Sequence, residues 1–324
     1  MYNILVTSIG SVAGDIVIKN LKRNGHRVIG GDINPKNWLV DSYSVDSFYQ
    51  TPYVSDELRY FDYIICLCKK EKIDYIIPLT DLDVDFYNKF RDDFLKNNVK
   101  ICISNKESIE ICRNKKLLEE YVNKNCNYLN TIPTILLNKI EKPMWDYPLV
   151  CKPYDGRSSQ GVFYIHNEFE WQAMKTMSNN DKYIVQPYIE GFIEMVEIIA
   201  QPKFNIVVAI TRRELIATPH GCGISVYVYR NNELENKVKQ LTQNLNIIGC
   251  VNFEFINNNG VYYLVECNPR FSAGVEFSCL AGYDCVINNL KCFEGKRIES
   301  FELKNNFYIA RKYEEFITEI EMEK

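Results

Sequence analysis

This chain of 324 residues is short of the features that assign a protein to a class at once. It has no apolar run of the roughly 20 residues a membrane-spanning helix needs. It opens on a strand pattern and a glycine turn without a basic flank, so neither export nor membrane insertion is indicated. Charge of one sign is also missing: 38 Lys and Arg face 42 Asp and Glu, a formal net charge of -4, which leaves no basic footprint for nucleic acid. No internal repeat and no low-complexity linker is visible. The twelve cysteines form no CxxC pair, so reduced, buried thiols are the default over a zinc site or a disulfide framework. Composition agrees with a soluble, cytoplasmic enzyme and decides little else: the hydrophobic share is 46%, ordinary for a globular protein, and the length leaves room for two or three domains.

The most informative stretch begins at Val265 and reads Val-Glu-Cys-Asn-Pro-Arg-Phe-Ser. Alternate side chains of a strand share a face, so Glu266, Asn268 and Arg270 point together. A hairpin Val251–Ile256/Val261–Glu266, turning through Asn257, Asn258, Asn259 and Gly260, brings Glu254 to them. Its other face is apolar through Val251, Phe253, Phe255, Tyr263, Val265 and Cys267, and Pro269 ends the strand where a ligand site can open. Carboxylate and amide oxygens suit magnesium, which usually shares its coordination with substrate phosphates, and an adjacent arginine neutralises phosphate oxygens. The competing interpretation is the solvated face of an edge hairpin.

Upstream, Asn3–Ser8 reads as a buried strand, followed by Gly10 to Gly14, a helix stopping at Asn24-Gly25, and a second strand His26–Gly31 ending in Asp32: a βαβ unit. The loop is GxxxG and not GxGxxG, a weak signal for a dinucleotide. Another strand, Asp74–Leu79, delivers Thr80 and Asp81 to its carboxyl end, where they orient an amine or hydroxylated substrate or, equally, cap a helix. Ser104 and Glu107 read as a capping box, with Lys115 following that helix. Tyr147–Tyr154 is a short strand delivering Lys152 to a turn, Asp155 to Gly161, in which Ser158 and Ser159 stand where glycines are common in such loops; a lysine there reaches phosphates while backbone amides close over them. Lys182–Ile189 is an apolar strand with Pro187 near its end.

Glu-Cys-Asn-Pro-Arg-Phe-Ser followed by Ala281-Gly282-Tyr283-Asp284 resembles the end of an ATP-grasp domain, nearest to the carbamoyl-phosphate-synthetase-like carboxylate-amine ligases. Asn114-Lys115-Lys116, Pro148 to Pro153, Gly156 to Gly161 and Gln186 to Gly191 lie upstream in the expected order. The resemblance implies an α/β and α+β protein: a Rossmann-like pre-ATP-grasp domain over 1–104, a small lid subdomain over 105–189, and a metal- and phosphate-binding subdomain over 190–324. It implies ATP as substrate and Mg2+, with Mn2+ as an alternative, held by Glu254, Glu266 and Asn268. Lys115, Lys152 and Arg270 would hold the triphosphate, and Arg270, Lys152 and Asn268 are the catalytic candidates. The hinge Gln186, Tyr188 and Ile189 would read adenine through its backbone.

A carboxylate after Gly191 would take the ribose. Glu194 and Glu197 both qualify, and Glu194 is preferred. Of Arg212 and Arg213 only one can face the nucleotide; Arg213 is assigned that role and Arg212 is placed in solvent. His220 and Cys222 sit near the expected acceptor contacts. The implied activity is ATP-dependent activation of a carboxylate as an acyl phosphate and its coupling to an amine or thiol. Alternatives are a grasp-type phosphotransferase, a non-catalytic ATP-binding subunit, and, weaker, an oxidoreductase. Expected partners are small molecules, with no nucleic acid or membrane; a homodimer is the base-rate expectation.

Overall fold

The computed structural model describes residues 1–219 and 221–320. The first sheet is parallel, with strands β1 (Asn3–Thr7), β2 (Arg27–Asp32), β3 (Ser47–Gln50), β4 (Tyr75–Pro78) and β5 (Lys100–Ile101) in the order β3-β2-β1-β4-β5. Helices cover both faces of such a sheet, and β1 accordingly buries Ile4, Leu5 and Val6 completely. The turn after β1 runs into helix Gly14–Arg23. A Cβ on Gly14 would sit 1.9 Å from the Ile9 carbonyl oxygen, so only glycine allows this approach. Asp32, the acid at the end of β2, accepts from the amides of Gly10 and Asn34, each at 2.9 Å. Its carboxylate is occupied in fixing the glycine turn, which removes the main support for a ribose contact of dinucleotide type.

The remaining strands are β6 (Asn130–Thr131), β7 (Ile135–Leu136), β8 (Leu149–Pro153), β9 (Phe163–Ile165), β10 (Tyr183–Pro187), β11 (Phe192–Gln201), β12 (Ile206–Ala217), β13 (Gly223–Val228), β14 (Gly249–Asn258), β15 (Val261–Asn268) and β16 (Phe307–Ala310). They form an antiparallel sheet ordered β7-β10-β8-β9 and a larger one ordered β16-β13-β12-β11-β14-β15-β6. The smaller sheet closes on helix Glu168–Lys175 around Leu149, Cys151, Trp171 and Val185.

One face of the large sheet buries Val196, Val251, Phe253 and Phe255 against helix Asn232–Asn244. The same core takes up Cys112, Leu118, Val122 and Leu129. Segment 106–131, placed with the lid by sequence, therefore belongs to the large sheet, and β6 extends that sheet beside β15. The apolar spacing of these helices shows that they bury a face but not which sheet receives it. Asn105, and not Ser104, caps the first of them, accepting from Ser108 N at 2.9 Å. Ser104 Oγ accepts instead from Ile248 N at 3.0 Å, tying the parallel domain to the large sheet. All cysteines are free among the described residues, and no helix among them is long and apolar enough to cross a membrane.

Candidate active site

The hairpin of β14 and β15 turns on Asn259 and Gly260, both with positive φ (48° and 91°), the backbone that two-residue hairpin turns require. Its register sets Glu254 opposite Glu266 and Asn252 opposite Asn268. A bulge follows: after Glu254–Glu266 the next pair is Phe255–Leu264, which leaves Val265 unpaired. Simple alternation assigned Tyr263 and Val265 to the apolar face, whereas the bulge turns Leu264 into it, 4% exposed. Bulges re-aim side chains beside functional sites; here the acids keep their face while the apolar register shifts.

Two lysines meet these acids. Lys115, in the first turn of helix Lys115–Asn125 after its Asn114 cap, places Nζ 2.9 Å from Glu266 Oε2 and donates to the Gly156 carbonyl of the lid turn at 2.9 Å. Lys152, near the end of β8, is buried beside them. Burial and the Lys115 charge bring Lys152 down to about 8. Burial and the Glu266 carboxylate push Glu254 up to about 8. Glu266 goes the other way: against its burial, Lys115 and Lys152 hold it down at about 2.

Asn268 Nδ2 donates to Glu266 Oε1 at 3.1 Å. Arg270 is bidentate on Asp81, Nε to Oδ1 at 3.0 Å and Nη2 to Oδ2 at 2.7 Å, and reaches Asn268 Oδ1 at 3.3 Å. Asp81 is 2% exposed. Against its burial, Arg270 and then Arg113 hold its carboxyl below the usual range. Thr80, not Asp81, caps the helix after β4, so Asp81 is free to bridge the parallel domain to the segment just after β15. The Asp81–Arg270 link spans 189 positions, and nothing local in the sequence announces it.

Glu254, Glu266 and Asn268 offer hard oxygen donors, and the repulsion that raises Glu254 is what a divalent cation between the two carboxylates relieves. The donor set fits magnesium. Among the described residues no group of three or more His, Cys, Asp and Glu side chains is placed to hold a metal ion.

At the hinge, Gln186 is buried and donates from Nε2 to Thr134 Oγ1 at 2.7 Å. With Lys115, Leu118, Leu264 and Val265 it lines a small cavity between β10 and the β14–β15 hairpin. The Tyr188 amide already donates to the Pro148 carbonyl at 3.1 Å, its ring is exposed, and Ile189 beside it is half-buried. In the lid turn Ser158 and Ser159 adopt left-handed φ of 49° and 55°, the conformation glycine takes without strain.

Glu194 and Arg213 do not join the site. Met195, in register with both Glu254 and Arg212, lies on the Glu254 face of the sheet, so Glu194 and Arg213 lie on the opposite one. Glu194 is wholly buried there; it accepts from Arg213 Nε at 2.8 Å and Asn257 Nδ2 at 3.1 Å. The Arg213 guanidinium stacks 4.8 Å from the Phe192 ring centroid. Arg212, expected in solvent, is 1% exposed on the Glu254 face. It pairs Nη1 with Glu197 Oε2 at 2.9 Å, Nη2 with Ser272 Oγ at 3.0 Å, and Nε with Glu214 Oε1 at 3.5 Å. Glu197 is enclosed in that cluster and is not available to a ribose in this conformation. The parity of β11 and β12 follows from their register on β14, which sequence alternation alone does not fix. His220 lies outside the described residues. Cys222 sits 3.5 Å from Arg311 Nη1, a contact no sequence pattern suggested.

Residues 102–274 match the family described as ATP-grasp domain, and residues 4–102 match the family described as PylC-like, N-terminal domain. The carbamoyl phosphate synthase large chain of Clostridium acetobutylicum is 22% identical over 299 residues, covering 86% of this chain and 27% of that protein. The chain thus spans about a quarter of the length of the curated relatives it matches. Among solved structures, a biotin carboxylase complex from Campylobacter jejuni superposes with a TM-score of 0.76 at 16% identity, covering 93% of this chain and 72% of that one. N5-carboxyaminoimidazole synthetase from Staphylococcus aureus, complexed with ADP, gives 0.74 at 16% identity, covering 94% and 80%. These likenesses show the fold. With the ATP-grasp match extending over more than half of its length, from the end of the parallel domain through the Glu254 and Glu266 hairpin, the chain belongs to the ATP-grasp family.

Proposed function

We propose that the protein is an ATP- and magnesium-dependent ligase that activates a carboxylate as an acyl phosphate and couples it to an amine or thiol. The observation that supports this most is the face on which Glu254, Glu266 and Asn268 meet Lys115, Lys152 and Arg270. Two acids and an amide beside three cations suit a metal-bound triphosphate and little else.

In this reading Lys115 and Lys152 neutralise phosphate oxygens, and Lys115, on finding phosphate, gives up Glu266. Glu254 would be held as a carboxylate by the cation it would ligate. Magnesium bound by Glu254, Glu266 and Asn268 would supply charge neutralisation at the phosphates. A carboxylate oxygen attacks the γ-phosphorus and the bond to ADP breaks, giving the acyl phosphate. The amine or thiol then attacks the acyl carbon, its proton is lost, and phosphate departs. The chain's part is positioning and charge compensation.

Hydroxylamine trapping with a pool of carboxylic acids tests the reading. The wild type should yield acyl hydroxamate that requires MgATP, and Glu266→Ala should yield none while still binding nucleotide. Hydroxamate formed equally well by Glu266→Ala would overturn the metal assignment.

A further inference from the structure

A second polar cluster lies on the same sheet face, beyond Met195 from the metal carboxylates, and the proposed chemistry has not used it. Glu214, two residues after Arg212 on β12, has a side chain only 7% exposed. One oxygen lies 3.5 Å from Arg212 Nε; the other, Oε2, is buried with no hydrogen-bond partner. Burial pushes this carboxyl up, opposed by Arg212 and Arg311. Glycine at position 223 makes room for it: a Cβ there would fall 2.1 Å from Glu214 Oε2.

Arg311 follows β16 and enters the same region. Its Nη1 lies 3.5 Å from Cys222 Sγ, its Nη2 donates to the Ala273 carbonyl, and its guanidinium stacks 4.6 Å from the Phe277 ring centroid. Its Nε is also buried without a partner. A buried acceptor and a buried donor, each unsatisfied, carry a penalty that a ligand can remove. Next to Cys222, a Cβ on Gly221 would lie 3.6 Å from Ser159 Oγ.

We infer that Glu214 and Arg311 form the acceptor subsite, and that its ligand is a small zwitterion of amino-acid type, with the ammonium on Glu214 Oε2 and the carboxylate on Arg311 Nε. Neither monopole satisfies both atoms: an anion alone leaves Glu214 unpaired and a cation alone leaves Arg311 unpaired. Arg212 is committed elsewhere: its Nη1 and Nη2 donate to Glu197 and Ser272, and its Nε, which also lacks a hydrogen-bond partner, faces Glu214 Oε1 at 3.5 Å and not Oε2. The subsite deepens the ligase reading and rests on it.

Saturation-transfer NMR tests it with glycine and β-alanine as zwitterions and with acetate and methylammonium as monopoles, alongside MgADP binding by calorimetry. The subsite requires that at least one zwitterion bind about tenfold more tightly than either monopole. Glu214→Gln and Arg311→Gln should each erase the preference while MgADP affinity and the circular dichroism spectrum stay as in the wild type. Glu214→Asp, which keeps the charge, should retain part of it. MgADP binding without zwitterion preference, or with variants that behave as the wild type, overturns the subsite and leaves the ligase reading standing. Absence of MgADP binding in the wild type overturns both.

Discussion

Arg212→Met removes the cation that, among the described residues, pairs with Glu197, a carboxylate that is 1% exposed. The wild-type pair is close, Nη1 to Oε2 at 2.9 Å. The carboxylate would keep hydrogen bonds from Ser272 Oγ at 2.5 Å and, weakly, from Asn252 Nδ2 at 3.5 Å, but a buried charge would stand uncompensated. Loss of one partner of such a pair costs about 3–5 kcal/mol, a large share of the 5–15 kcal/mol typical of a folded domain. The second partner decides the interpretation. In Arg212→Met/Glu197→Met both charges of the close pair are gone and only the looser Glu214 contact at 3.5 Å is lost besides, so the double variant should lie well above the single variant. Urea denaturation followed by circular dichroism measures each corner of the cycle. A single variant that costs under about 1 kcal/mol, or a double variant no better than the single one, would refute the claim that Arg212 is a buried charge on the Glu254 face.

Further outcomes follow from the same structure. Glu266→Ala should lower turnover by about a hundredfold or more while nucleotide affinity, read by calorimetry, changes far less. Asp41 is raised to about 6 by burial and then by the Asp15 carboxylate. Its ionised form therefore costs stability that is absent below its unfolded value near 4 and complete once pH passes about 6. Asp41→Asn should stabilise the fold at pH 7 by about 1 kcal/mol after allowance for partial exposure, with the gain vanishing by pH 4 in thermal melts. Gly14→Ala, whose Cβ would strike the Ile9 carbonyl, should cost about 3 kcal/mol, measured by the same melts.

Much of the hairpin that carries Glu254 and Glu266 was legible because its cues are local. Period-two alternation fixes Glu266 and Asn268 on one face, and Asn259-Gly260 is a hairpin turn by composition. The βαβ start was legible for the same reason, down to the Asn24-Gly25 stop after its helix. Failures came where a residue's meaning depends on register between distant strands. Glu194 and Arg213 fall on the wrong face because Met195 pairs with Glu254, a fact that no window of β11 contains. Val265 was misassigned because a bulge breaks alternation within a strand that otherwise obeys it. Asp81 could be read as a cap or as a ligand-facing acid, and its bond to Arg270 supplied neither answer: it joins two domains.

The most direct measurement of the central claim is phosphorus NMR of the products formed from MgATP with pooled carboxylic acids, with and without pooled amines. Carboxylate activation through an acyl phosphate predicts ADP and inorganic phosphate that depend on both pools and disappear in Glu266→Ala. AMP and pyrophosphate as products would contradict it, because they require attack at the α-phosphorus instead of the γ-phosphorus.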